Sequence, residues 1–206
     1  MIRVIDQSNA HLYSKTMEQQ FRLRHSVFVA EKGWSEFERD GIFEKDQYDT
    51  DDAIYVISLD ENGDAIGCFR LYPTSLPHML SETFAHLVDG AVIRRADVYE
   101  LTRFHLGKGH RQSAPYLELL TAIPEVGLEL GLSGFTALAR TLRIPVMQAA
   151  GLSITPTGLP TLFNGESHVS VLFEVSETCL SRINLSRGSQ LSVLEHNRPS
   201  SLRARA

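Results

Sequence analysis

The spacing of apolar and polar positions changes several times along this chain, and each change marks an element. Ile2 to Ile5 reads as a short strand. Met17, Phe21, Arg24 and Phe28 then recur at spacings of four, three and four, which places them on one stripe of a helix over about 14–29. Arg24 therefore falls on an apolar face. Residues 30–52 carry few apolar positions and read as a long ordered loop, which inside a compact domain marks a lid or binding segment. The runs Ile54 to Leu59 and Ala65 to Tyr72, joined by Asp60-Glu61-Asn62-Gly63-Asp64, predict an antiparallel hairpin. A short helix about 79–87, a strand from Val98 to Leu106 and a helix about 114–131 follow, the last interrupted by Pro124 and so kinked or in two pieces. Ser133 to Leu138 reads as a strand, 142–150 as a helix ending at Gly151, and His168 to Val175 as a final strand. This order predicts an α/β fold, a three-layer α/β/α sandwich around a central mixed sheet.

Three charged residues break the apolar pattern: Arg70 in the run to Tyr72, and Glu100 and Arg103 in the strand to Leu106. A buried charge is costly unless it is paired, so a chain that keeps these among Phe69, Leu71, Tyr99, Leu101 and Phe104 uses them. In a regular strand residues 100 and 103 point to opposite faces. For both to serve one site a β-bulge must lie between them.

Composition narrows the classes. With 206 residues, 43% hydrophobic and 22% charged, the chain is an ordinary globular protein, one domain over 1–175 with a polar, basic extension over 176–206. The net charge of −5 argues against general nucleic-acid binding. It is unevenly spread, with +3 over 176–206 and −8 over the rest. The basic tail reads as a frayed terminus or as a docking patch for an acidic partner. No apolar run approaches the length of a membrane span and the start has no secretion signal, so a cytoplasmic protein without membrane contact is expected. Cys68 and Cys179 read as packing residues, and the scattered histidines form no metal motif, so no metal is expected.

Arg24, Phe28 and Trp34, then Asp46-Gln47-Tyr48-Asp49, Phe69-Arg70, Phe84 and Glu100-Leu101-Thr102-Arg103-Phe104, in this order and spacing, resemble the acyl-homoserine-lactone synthases, the autoinducer synthases of bacterial quorum sensing. The resemblance spans about residues 2–175. It implies a fold related to the N-acetyltransferases (GNAT) and no cofactor, since S-adenosylmethionine is a substrate. The implied reaction joins an acyl group from a thioester to the amine of S-adenosylmethionine, then closes the lactone with loss of methylthioadenosine.

S-Adenosylmethionine needs a positive fork for its carboxylate, negative groups for its cationic end and aromatic faces. Arg24, Arg70 and Arg103 suit the first, Asp46 and Asp49 the second, Phe28 and Trp34 the third. Glu100 is the expected proton acceptor, directly or through a water, with Asp46 and Arg70 at the reacting centre. A salt bridge to Arg103 is its structural alternative. The segment Gly107-Lys108-Gly109-His110-Arg111 suits phosphates of coenzyme A or of a carrier protein's phosphopantetheine, with Lys108 and Arg111 as the contacts.

The wording of Gln20 to His25, Leu80 to Phe84 and Gly158-Leu159-Pro160 looks more like the branch with acyl-coenzyme A donors, so acyl-CoA is expected and acyl-carrier protein is the alternative. Met79, Phe84, Leu101, Thr102, Ala137 and Met147 are the expected acyl contacts, although each also suits a core. Alanine at 137, where many relatives taking 3-oxoacyl chains carry a hydroxyl, implies an unsubstituted, branched or aryl chain. The rivals are an N-acyltransferase of the same fold acting on another small amine, a non-catalytic S-adenosylmethionine-binding module, and a methyltransferase, for which the glycine-rich strand-to-helix turn near the N-terminus is missing.

Overall fold

A computed structural model describes residues 1–111, 113–163 and 165–195. Strand β1 (Ile2–Ile5) leads to helix α1 (Ser14–Arg24), which widens into π-helical turns over His25–Glu31. The acid-rich loop follows and holds a two-stranded ribbon, β2 (Glu38–Arg39) and β3 (Phe43–Glu44). The expected hairpin is β4 (Ile54–Leu59) and β5 (Ala65–Pro73), followed by the short helix α2 (Met79–Glu82) and strand β6 (Val98–Leu106). Then come α3 (Ala114–Glu129), β7 (Gly134–Arg140), α4 (Ile144–Ala149), β8 (Ile154–Pro156), β9 (Thr161–Phe163), β10 (Glu166–Glu174) and α5 (Glu177–Arg187). Pro124 lies within α3, which runs as one helix rather than two pieces.

The sheet order is β1-β4-β5-β6-β7-β10-β8, with β9 beside β10. Alternation along the strands builds a core on each face. Val56, Phe69, Leu71 and Leu101 pack with Leu119, Leu120, Ile123 and Val126 of α3, while Tyr55, Ile57, Cys68 and Tyr72 pack with Phe21 of α1. This is the expected three-layer sandwich.

Two irregularities make the site. β6 and β7 are the parallel pair, and their pairing covers only Val98–Glu100 against Gly134–Thr136, so the strands part beyond Glu100. Between β5 and β6, Cys68 faces His105 and Arg70 faces Thr102, which leaves Arg103 and Phe104 of β6 together opposite Phe69 of β5. The bulge is thus present, with its extra residue at Arg103–Phe104 rather than between 100 and 103. Arg103 has φ 55°, a left-handed conformation that costs a side chain about 1–2 kcal/mol. Phe104 consequently stacks on Phe69 at 6.1 Å and meets Tyr116 of α3, while Arg103 joins Thr102 and Glu100 on the α1 side.

The boundary expected at residue 175 does not separate two units. Ser176 caps α5 by accepting the Cys179 N–H at 3.2 Å, and Cys179 and Ile183 belong to the α3-side core. Leu194 then lies parallel to Ile2, where Ile2 N donates to Val193 O at 2.9 Å and Glu195 N donates to Ile2 O at 2.7 Å. Arg3 pairs with Glu195 at 2.6 Å, and Glu125 accepts the Val193 N–H at 3.1 Å. The sequence hid this strap because its partner strand is at the opposite end of the chain. Residues 196–206, the last part of the tail expected to fray over 176–206, lie outside the described residues. Leu194, 4% exposed, is expected to cost about 2–5 kcal/mol when replaced by alanine, read as a lower midpoint in urea. A terminus that merely frays leaves that midpoint unmoved.

Among the described residues no helix is long and apolar enough to cross a membrane.

Candidate active site

The three arginines that the apolar pattern singled out come from three elements and meet on one face of the sheet. Arg24 ends α1, Arg70 lies in β5 and Arg103 sits on the β6 bulge. Arg24 and Arg70 are fully buried and Arg103 nearly so. Such charges stay inside only with partners, and the acid-rich loop provides them.

The partners form a closed ring. Arg24 makes a two-pronged contact to Asp49 at 2.7 and 2.9 Å, and Asp49 reaches Arg70 at 2.9 Å. Arg70 holds Asp46 at 2.6 and 3.0 Å, and Asp46 reaches Arg103 at 2.7 Å. Arg103 contacts Glu44 at 2.8 and 3.0 Å, and Glu44 returns to Arg24 at 2.5 Å. Three guanidinium groups and three carboxylates thus cancel in charge out of water. Burial pushes Asp49 up, but the charges of Arg70 and Arg24 outweigh it and hold the carboxyl well below the usual range. The loop is also tied to itself: Asp49 accepts the Asp46 N–H at 2.8 Å, Asp46 accepts the Tyr48 N–H at 2.9 Å, and Tyr55 donates its hydroxyl to Asp49 at 2.8 Å.

Sequence reasoning named five of these six residues and missed Glu44. Among so many loop acids nothing in the periodicity marks it, but three buried arginines set against two aspartates leave one positive charge uncompensated. The arginines also stand differently from expectation. Their N–H groups face the loop carboxylates, and Arg70 Nε donates to Thr102 Oγ1 at 3.1 Å.

Beside the ring, Phe28 and Trp34 stack with centroids 5.0 Å apart, and Phe37 meets the Trp34 edge at 6.3 Å. The Arg103 guanidinium carbon lies 5.5, 5.4 and 5.0 Å from the three rings. The π-helical turns after α1 carry Phe28 to this position. His105 packs its edge on Phe28 at 5.4 Å, and burial pushes its pKa down to about 3, so it stays neutral.

Glu100 is 2% exposed and lies where β6 and β7 part. It accepts the N–H groups of Met79 at 3.0 Å and Leu80 at 2.6 Å, at the start of α2. Burial pushes its pKa up to about 7, although both N–H groups and the charge of Arg70 pull the other way. Arg103 is turned to Glu44 and Asp46, so the alternative salt bridge to Glu100 is not what holds this carboxyl. A buried carboxyl that changes charge near neutrality is suited to take up a proton.

The expected acyl contacts divide between the two faces. Leu101, Ala137 and Met147 share the α3-side core, while Thr102 is on the ring side and Met79 packs there, its sulfur 3.9 Å from Arg103 Nη1. Phe84 meets Phe163 of β9 edge-on at 5.3 Å. Lys108 and Arg111 line a cavity of about 350 Å³ with Gly109 and with Arg143, which the sequence reading did not assign.

Comparison with known proteins agrees along the chain. The autoinducer synthase family model matches residues 8–182. An isovaleryl-homoserine lactone synthase of Bradyrhizobium diazoefficiens is 38% identical over 166 residues, 79% of this chain and 74% of that one. The CoA-dependent acyl-homoserine lactone synthase BjaI, solved with MTA and with SAM and isopentyl-CoA, superposes with a TM-score of 0.91 at 30% identity, over 100% of this chain and 98% of BjaI. MesI, another CoA-dependent acyl-homoserine lactone synthase, gives 0.88 at 26% identity over 95% and 100%. A Pseudomonas aeruginosa acyl-CoA N-acyltransferase at 14% identity, with a TM-score of 0.56, shares the fold. Ring, carboxyl and similarity agree: this chain belongs to the autoinducer synthase family and is an acyl-homoserine-lactone synthase.

Proposed function

We propose that this synthase acts in the cytoplasm on S-adenosylmethionine and an acyl-coenzyme A carrying an unsubstituted, branched or aryl chain, without a cofactor, nucleic acid or membrane. The observation that carries the reading is Glu100, a buried carboxyl with its pKa near 7 beside the charge-balanced ring and at the parting of β6 and β7. Glu100 takes a proton from the amine of S-adenosylmethionine, directly or through a water. The freed nitrogen attacks the thioester carbonyl, and the C–S bond breaks with the thiol leaving. A carboxylate oxygen then displaces the sulfonium from the γ-carbon, which closes the lactone and releases neutral methylthioadenosine.

In this reading Phe28 and Trp34 face the substrate's cationic and aromatic parts. Asp46 and Asp49 supply negative potential, and Arg24, Arg70 and Arg103 fix those acids in place. The open backbone at the Arg103 bulge is suited to the oxyanion. Lys108, Arg111 and Arg143 suit the phosphates of coenzyme A, in keeping with the CoA dependence of BjaI and MesI. Ala137 offers no hydrogen bond to a 3-oxo group, in keeping with the isovaleryl relative.

The donor is tested by comparing kcat/KM for one acyl group carried by coenzyme A and by acyl-carrier protein. The CoA thioester is expected to be better by about tenfold or more, 1.4 kcal/mol at the transition state. A faster reaction from the carrier protein overturns the donor assignment and leaves the reaction standing.

A further inference from the structure

Lys32 stands at the mouth of the site without a carboxylate. Its ammonium lies 4.9 Å from the Phe28 ring centre and 5.2 Å from that of Trp34, beside the stacked pair, and the acid whose charge reaches it, Glu166, is paired with Arg140. Among the described residues it makes no hydrogen bond or ion pair. The neighbouring cations are all matched: Arg103 by Glu44 and Asp46, Arg111 by Glu31, and Arg140 by Glu166. Withdrawal of the ammonium from water, then the charge of Arg140, lower the pKa of Lys32; Arg111 and Arg103 add to this and Glu166 opposes it.

The ring arginines leave a need that Lys32 meets. S-Adenosylmethionine brings a carboxylate as well as two cationic groups, and a carboxylate entering a partly dry site requires a donor of positive charge. Arg24 and Arg70 are fully buried with their guanidinium forks closed on Asp49, Glu44 and Asp46, so either could reach the substrate only by opening the ring. Lys32 has three N–H donors to offer on a flexible stem, in an exposed residue beside the aromatic pair.

Resting on the reading of this site as the S-adenosylmethionine pocket, we propose that Lys32 is an anion-binding residue that takes the α-carboxylate of S-adenosylmethionine. It holds in place the group whose oxygen later closes the lactone. A phosphate of the thioester carrier would offer the same oxyanion chemistry, because Arg111, whose charge is felt at Lys32, lines the cavity with Lys108 and Arg143. The carboxylate is favoured by the position of the ammonium on Phe28 and Trp34 rather than at that cavity.

Trp34 is the chain's single tryptophan, so its fluorescence reports binding beside Lys32. Parent, Lys32→Met and Lys32→Arg proteins are titrated with S-adenosylmethionine, with its decarboxylated analogue and with free coenzyme A. The expected result is a Kd for S-adenosylmethionine raised about tenfold or more in Lys32→Met, the loss of a charge-assisted hydrogen bond, and largely restored in Lys32→Arg. The decarboxylated analogue and coenzyme A are expected to bind parent and variant alike. Weaker coenzyme A binding with S-adenosylmethionine unaffected overturns the carboxylate assignment and gives the lysine to a phosphate. Equal binding of all three ligands by Lys32→Met overturns anion binding altogether. A parent protein that binds no S-adenosylmethionine instead overturns the underlying reading of the pocket.

Discussion

Replacing Glu100 with glutamine is expected to lower the acyl-transfer rate at pH 8 by about 10²–10⁴-fold, the usual contribution of a positioned general base. Glutamine has nearly the same shape and keeps one oxygen to accept the Leu80 N–H, which Glu100 holds at 2.6 Å. Its amide nitrogen would face the Met79 N–H, a donor against a donor, which costs about 1–3 kcal/mol. The variant should therefore melt a few degrees lower and still fold, and a loss of rate far larger than the loss of stability separates the two roles.

The pH dependence sharpens this expectation. Because Glu100 takes up a proton only when ionised, kcat/KM for the thioester should rise with pH through about 7 in the parent. The amine of the free substrate adds its own limb near an α-amino pKa of about 8. Glu100→Gln should lose the lower limb and keep the upper one. Stability has the opposite slope. A carboxyl whose pKa rises from 4.5 to about 7 on folding gives stability that is fully present below pH 4.5 and is lost as pH rises through 7. The amount is about 3 kcal/mol, and because glutamine does not titrate it should appear as the pH-dependent part of the stability difference between parent and Glu100→Gln. An unchanged lower limb in the variant gives the proton transfer to another group.

Replacing Glu44 with alanine is expected to be the most destabilising single change at the site, although no sequence pattern pointed to it. Glu44 is fully buried and is shared by Arg24 at 2.5 Å and Arg103 at 2.8 Å. Its removal leaves two guanidinium groups facing a cavity with one net positive charge out of water. Breaking a buried ion pair from one side costs about 3–5 kcal/mol. For a chain of this size that is a fall in melting temperature on the order of 10 °C. Arg103 also holds a left-handed backbone at φ 55°, so its release from Glu44 should relax the bulge and lower activity as well. A double variant, Glu44→Ala with Arg103→Ala, should be less destabilised than the sum of the two single changes, because the second removes a charge that the first orphaned. Additive losses would mean that the ring is not an electrostatic unit.

The parts of this site that were legible in the sequence are those where charge conflicts with period. Arg24 on an apolar helical stripe, and Arg70, Glu100 and Arg103 in apolar strands, each announced a paired or functional charge. The face conflict between residues 100 and 103 led to a bulge, which the structure places at Arg103–Phe104. Glu44 was hidden because an exposed-looking acidic loop contains many acids of which only some turn inward. The C-terminal strap was hidden for a different reason. Val193 and Leu194 are buried against the first strand by contacts that no local pattern encodes, and α5 lacks a distinct apolar stripe. Lys32 and Arg143 were passed over because a single surface cation has no period to break.

The reaction is tested most plainly by incubating the purified protein with S-adenosylmethionine and a panel of acyl-coenzyme A thioesters and measuring both products by mass spectrometry. Acyl-homoserine lactone and methylthioadenosine are expected in equal amounts, with Glu100→Gln making neither at a comparable rate. Thioester consumed without methylthioadenosine would contradict this and indicate acylation of a different amine, and tight S-adenosylmethionine binding with neither product from any donor would indicate a binding module.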